Sequence, residues 1–311
     1  MEKDMRYICA QPAKDYYTWQ VEVVINNFKK HGINPNKIDI ICAVDNGVVP
    51  EVWRKLQRHY NTIRFFFYND DRKDKSYIPS VYFNLMKNHM KAHPELIGDR
   101  LFLHDSDIIF TQPPNLSWVD NKTWYLSDTN SYINHDYIQQ KGDDIYKNMC
   151  QIVGIDPLIP KLMNSNSGGA QYITIGKSWE FWDKIEKDSV NLYSYFCEKE
   201  ATYGDRYKGT YPIQKWTAGM WAFLWNIWRE GHETKVDKRL DFCWATCSID
   251  RVKTHGILHN AGVSNSNKGM FYKADYINKL PYNENLKIDE TRASSYYWKE
   301  IQEVAKKSIL I

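Results

Sequence analysis

The stretch Arg100–Phe110, RLFLHDSDIIF, decides how this chain is read. Its apolar run, Leu101 to Leu103, stops at Asp105-Ser106-Asp107, and apolar residues resume at Ile108. An apolar run bounded by polar residues reads as a buried strand. Carboxylates at the end of such a strand lie where open α/β sheets gather their ligands. Two like charges so close are costly to bury unless a cation neutralises them. The expectation is that Asp105 and Asp107 hold a divalent cation, and that the cation holds a phosphate-bearing ligand.

Upstream, strand and helix signals alternate. Tyr7 to Ala10 is a short apolar run ending at Gln11-Pro12, a strand and a turn. Asp15 reads as an N-cap, Trp19, Val23, Val24 and Phe28 follow at helical spacing, and Gly32 closes the helix. Lys37 to Val44 and Ile63 to Phe67 read as strands. Between them Pro50 opens a helix with Val52, Trp53 and Leu56 on its inner face. Ser80 caps a third helix that stops near His93-Pro94. This βαβαβα run leads directly into the Leu101 strand. It predicts an α/β chain, a mostly parallel twisted sheet flanked by helices, in one domain.

Downstream, Thr123 to Ser127 reads as a strand leading to Asp128, and Asp143 to Val153 as a helix. The turn-rich Asn164–Gly169 enters another strand, Ala170 to Ile175. Gly168 and Gly169 there permit close backbone approach to a ligand, or form a tight turn. Helices are expected over Trp179 to Phe196 and Gln214 to Arg229. In the latter, Trp221, Trp225 and Trp228 form a core stripe and Trp216 falls off it, a candidate ligand-facing aromatic beside Thr217. Ile257 to His259 is a short apolar run delivering His259 to a glycine turn at Gly262, with Lys268 and Lys273 beyond. An amphipathic helix is expected after Asp289.

Composition excludes some classes. A net charge of +3 lacks the basic bias of a dedicated nucleic-acid binder. Lys141, Lys147, Lys161, Arg206, Lys208 and Lys215 could still line a basic groove, although scattered lysines usually form a solvated face. Six scattered cysteines without CxxC spacing argue against a disulfide framework or structural zinc. No signal-peptide pattern or long apolar stretch occurs, so no membrane partner and a cytoplasmic location are expected.

Two Asp at a strand end with a distant His suit a hard divalent ion. Carboxylates accept Mg²⁺ or Mn²⁺, and an imidazole shifts the preference toward Mn²⁺. Such an ion neutralises charge developing on a departing nucleoside diphosphate, which describes activation of a nucleotide-sugar donor. A calcium loop starting at Asp105 fails at Ile109, Phe110 and Leu116. A haloacid-dehalogenase-type phosphatase would use Asp105 as nucleophile, Asp107 as general acid and Asp143-Asp144 as its later acid pair. Ile109 departs from that pattern, and the motif follows the fourth strand rather than the first. A non-catalytic nucleotide-sugar-binding protein is a further alternative, against which stands the clustering of both acids with His259.

The chain resembles the glycosyltransferases of the GT-A fold, in particular the peptidyl serine and hydroxyproline O-glycosyltransferases, in a small form. The residues that carry the resemblance are Tyr17-Thr18-Trp19-Gln20, Leu103-His104-Asp105-Ser106-Asp107-Ile108-Ile109, Gly168-Gly169, Trp216-Thr217-Ala218-Gly219-Met220 and Leu258-His259-Asn260-Ala261-Gly262. The resemblance implies a metal on Asp105, Asp107 and His259 and a nucleotide-sugar donor, of the UDP type. The donor is expected against Gln11, Pro12, Ser106, Gly262 and Lys268. The acceptor or sugar is expected near Gly168, Gly169, Trp216 and Thr217. The acceptor is a hydroxyl of a peptide, a glycan or a hydroxymethylated DNA base. The expected division is a nucleotide-sugar half over 1–113, an acceptor half over 114–253 and a closing segment over 254–311. The family carries a Glu where Gly219 stands, and no acid lies between Gln214 and Trp228. Asp128 is then the candidate base; otherwise the enzyme retains configuration and the leaving phosphate takes the acceptor proton. The missing anchor suggests a bacterial, phage or viral source.

Overall fold

A computed structural model describes residues 5–203 and 213–311 of the chain, without the side chains of 201–203. Arg206 and Lys208 of the expected basic set lie outside the described residues.

In order come β1 (Met5–Pro12), α1 (Asp15–Lys30), β2 (Ile38–Val44), α2 (Glu51–His59), β3 (Arg64–Asn69), α3 (Val81–Ala92) and β4 (Arg100–His104). Then follow β5 (Ile108–Phe110), β6 (Trp124–Ser127), α4 (His135–Gln139), α5 (Asp143–Val153), α6 (Leu158–Leu162), β7 (Gly169–Ile175) and α7 (Trp179–Tyr203). The chain continues with α8 (Ala218–Arg229), β8 (Thr234–Val236), β9 (Phe242–Trp244), β10 (Ile257–His259) and α9 (Ala293–Ala305).

Seven strands form a mixed sheet in the order β3-β2-β1-β4-β7-β6-β8. The β1–β2, β2–β3 and β6–β8 pairs are parallel, and β6–β7 is antiparallel. The α/β class read from the alternating pattern is therefore the observed one. A second, three-stranded sheet, β5-β10-β9, has no counterpart in the sequence reading. Strands of three residues are too short to show a period.

By contact the chain groups into two compact units. The first comprises Met1–Asn69, Phe102–Val119 and Arg239–Ile311, and the second Asp70–Leu101 and Asp120–Lys238. In the first unit, Trp19 and Val23 of α1, Leu258 of β10, and Tyr297, Trp298, Ile301 and Val304 of α9 share one apolar core. The C-terminal helix buries its apolar stripe against the N-terminal helix, as amphipathic spacing requires. In the second unit Trp221 and Trp225 are fully buried and Trp228 nearly so, the expected core stripe of α8.

Local corrections are small. Asp15 occupies the first turn of α1 and Lys14 the cap; Pro50 caps α2 rather than opening it. Ser80 precedes α3, but its hydroxyl donates to the Tyr77 carbonyl instead of capping an N–H. The described cysteines are all free.

A buried carboxylate ties the first unit together. Glu22 of α1 is fully buried and accepts hydroxyl hydrogen bonds from Tyr60 (3.1 Å), Tyr282 (2.7 Å) and Ser308 (2.6 Å). Alanine at Glu22 removes the shared acceptor of these hydroxyls, leaving Tyr60 with Asn26 Nδ2 (2.8 Å) and Tyr282 with the long bond to the Trp19 carbonyl (3.4 Å). The expected loss is about 3 kcal/mol of unfolding free energy, read from a denaturant midpoint. A change below about 0.5 kcal/mol would refute this role.

Candidate metal and donor site

Two local devices build the acid motif. Asn27 of α1 holds β5 in place of a neighbouring strand: its Nδ2 donates to the Phe110 carbonyl (3.0 Å) and its Oδ1 accepts the Phe110 N–H (2.8 Å). Gln20, about two turns earlier on the helix, accepts the Ser106 hydroxyl (3.1 Å). Ser106 is thus an anchor of the loop between β4 and β5, and both partners are buried. The tail of the chain reaches this loop by strand pairing. β10 runs antiparallel to β5 with His259 opposite Ile108, and the Asn260 N–H donates to the Asp107 carbonyl (2.9 Å).

The result is a convergence of three side chains within the first unit. His259 Nε2 lies 3.4 Å from Asp105 Oδ2 and 3.3 Å from Asp107 Oδ1. One ligand atom from each of the three lies within 4.8 Å of the others, a spacing that suits a common cation. Oxygen and imidazole donors fit Mg²⁺ or Mn²⁺ at about 2.0–2.2 Å per bond. The imidazole is held in orientation by aromatic neighbours. It stacks on Trp244 (5.5 Å between ring centroids, 17° between planes) and meets Phe242 edge-on. β9 pairs parallel to β10 with Trp244 opposite His259, so sheet register makes this stack.

Lys273 completes the cluster: its ammonium Nζ bonds Asp107 Oδ2. The sequence reading placed Lys268 on phosphate. Lys268 is exposed in the turn after Gly262, its backbone N–H on the Ser266 carbonyl. Nothing in residue type or spacing separates the two lysines, because a non-repetitive segment decides which one turns inward. Nothing in the sequence singles out Trp244 either, and Gln20 enters only within the Tyr17–Gln20 stretch of the resemblance.

The charges are strongly biased. Burial raises the Asp107 carboxyl, but Lys273 and then His259 outweigh it and hold the group below the usual carboxylate range. Burial raises the Asp105 carboxyl and the Asp107 charge adds to this, outweighing His259 and Lys273. Burial lowers the His259 imidazole, but Asp107 and Asp105 more than reverse it. Burial also lowers the Lys273 ammonium, and Asp107, then Tyr16, outweigh it. Asp105 is half exposed and faces solvent, while Asp107 is buried.

Other expected site residues fall as follows. Gln11 is buried, its amide donating to the Ile41 carbonyl (3.3 Å) and Cys42 Sγ (3.2 Å) while the Cys9 thiol donates to its Oε1 (2.8 Å). That engagement is a packing role between β1 and β2. Pro12 ends β1, paired with Ala43. Gly262 takes φ +80°, and a Cβ there would meet the Trp244 ring at 3.6 Å, ordinary contact. Its glycine is needed for the turn that follows His259.

In the second unit, Asp128 is exposed directly after β6 and accepts the Asn130 N–H (2.9 Å). Trp216 is 55 % exposed, its ring 6.0 Å from Tyr132, and its carbonyl accepts the Tyr77 hydroxyl (2.6 Å). Thr217 is buried and caps its own turn through Gln214 (2.6 Å). Gly219 has a packing reason: a Cβ would meet Phe83 at 2.8 Å, and its N–H donates to Tyr77 (2.9 Å). A glutamate has no room there. Among the expected lysines, Lys147 pairs with Asp143, Lys215 with Glu200, and Lys141 lies over the Tyr137 ring. Lys161 is exposed. No described helix is long and apolar enough to cross a membrane.

No family model and no curated protein matches the chain. Among solved structures, the bifunctional glycosyltransferase WbbM aligns over 99% of this chain at 10% identity and a TM-score of 0.46. The chain spans about half the length of that protein, 52%. The galactosyltransferase LgtC, solved with donor and acceptor sugar analogues, aligns over 98% of this chain and 97% of its own, at 14% identity and a TM-score of 0.43. Mouse xyloside xylosyltransferase 1 aligns over 84% of this chain and 98% of its own, at 10% identity and a TM-score of 0.39. All three carry the class of activity expected from the sequence; similarity this distant leaves every role in this chain to be argued from its own residues.

Proposed function

We propose that the chain is a metal-dependent glycosyltransferase of the GT-A type, which moves a sugar from a nucleoside-diphosphate sugar to an acceptor hydroxyl. The observation that carries this reading is the convergence of Asp105, Asp107 and His259 beside the Lys273 ammonium. A divalent ion there, Mn²⁺ or Mg²⁺, would offer positive charge to the diphosphate as the glycosidic bond breaks. Lys273 adds a fixed positive charge in the same place, and Trp244 keeps the imidazole nitrogen aimed at the cation. The donor is assigned to the first unit, and the acceptor to residues near Asp128 and Trp216, with Asp128 the candidate base. The acceptor is a hydroxyl on a peptide, a glycan or a modified DNA base. Pairing of Lys147 and Lys215 with acids weakens the case for DNA.

The phosphatase alternative needs Asp107 as a proton donor. Lys273 and His259 keep that carboxyl ionised, so it has no proton to give. The test is a thermal melt with UDP, GDP, ADP and CDP, each with Mn²⁺ or with chelator. At ligand a hundredfold above Kd the stabilisation should be about 2.7 kcal/mol for one nucleotide with metal. It should vanish with chelator and in the Asp105→Ala/Asp107→Ala variant. No response to any nucleotide in either condition refutes the reading, and phosphate release from a simple phosphomonoester would favour the phosphatase.

A further inference from the structure

We propose that Lys273 is a specificity-determining residue that makes the site select a cation–diphosphate pair over a bare cation. This rests on the metal site proposed above. Asp107 divides its two oxygens: Oδ1 faces His259, and Oδ2 is taken by the Lys273 ammonium. Asp107 therefore gives a cation one oxygen, with no second oxygen free to chelate it. The ammonium is a permanent charge, and it sits against the most buried ligand of the three.

The charge count explains the selectivity. With a cation bound, two carboxylates, one ammonium and a neutral ligating imidazole give the site one net positive charge. Without the ammonium the same loaded site would be neutral. Lys273 thus lowers attraction for a free divalent ion and raises attraction of the loaded site for a polyanion. At the few-ångström separations here each effect is worth about fivefold or more even at high dielectric. The protein would then acquire its metal together with the nucleotide, and release both together.

The experiment measures two affinities by calorimetry at constant ionic strength: Mn²⁺ alone, and UDP to protein saturated with Mn²⁺. Lys273→Met is expected to bind Mn²⁺ about fivefold more tightly and UDP about fivefold more weakly. Lys273→Arg, which keeps the charge, should keep the wild-type pattern. A purely structural role predicts weaker binding of both ligands in Lys273→Met, and that result overturns the proposal. Unchanged Mn²⁺ affinity in Lys273→Met overturns it as well. Should Lys273→Met not fold, Lys273→Gln carries the same comparison. Wild-type protein that binds Mn²⁺ neither alone nor in the presence of UDP overturns the metal site itself, and is distinguished in that way from failure of this inference.

Discussion

Asp107→Ala is expected to lower metal-dependent turnover of a nucleotide-sugar by about a thousandfold or more. Two contacts are lost together. Oδ1 is the proposed cation ligand facing His259 Nε2, and Oδ2 receives Lys273. The variant leaves the partly buried Lys273 ammonium without its carboxylate, beside an imidazole and a single remaining acid, so the site holds a cation poorly. Asp107→Asn keeps the shape and removes the charge, and should lose nearly as much. Asp105→Ala should lose less, because Asp105 is half exposed and water can replace its oxygen. The check is steady-state hydrolysis of the donor against Mn²⁺ concentration, with far-ultraviolet circular dichroism to confirm folding. Equal turnover of Asp107→Ala and wild-type protein would remove Asp107 from the site.

The second large effect is on stability. Gly168 sits at the entry to β7, where a Cβ would lie 2.4 Å from the Ser127 carbonyl oxygen, 2.9 Å from Leu126 Cβ and 3.1 Å from Val236 Cγ2. The nearest atom is backbone inside β6, which cannot move without breaking its pairing with β7 and β8. Gly168→Ala should therefore cost about 3 kcal/mol or more. Gly169 differs: its Cβ would meet the ends of Met220 and Tyr172, flexible side chains, so Gly169→Ala should cost much less. Urea melts of the two variants, compared at constant slope, decide the point. Equal small losses would show that the glycine pair is kept for a ligand rather than for packing. The double glycine was legible as a place of close approach, but the partner that approaches was not: here it is the Ser127 carbonyl.

The element order was legible because each strand and helix carries its own period and its own stops. β2 and α5 begin and end within a residue of the stretches read from the sequence, and β10 coincides with its stretch. Trp221, Trp225 and Trp228 share a helix face for the same local reason. The acid pair was legible as chemistry, since two carboxylates after a buried apolar run have few stable uses. Selecting His259 needed the glycine turn and the resemblance together.

The sequence by itself determined the alternation of elements and the presence of a carboxylate pair at the end of β4, because those depend on spacing within a few residues. The tertiary structure alone decided which distant residues meet that pair. Pairing of β10 with β5 brings His259 across nearly half the chain, register on β9 sets Trp244 against it, and the turn beyond brings Lys273 rather than Lys268 to Asp107. Such contacts depend on backbone hydrogen bonds made between segments that carry no local mark of each other, so no periodicity could announce them.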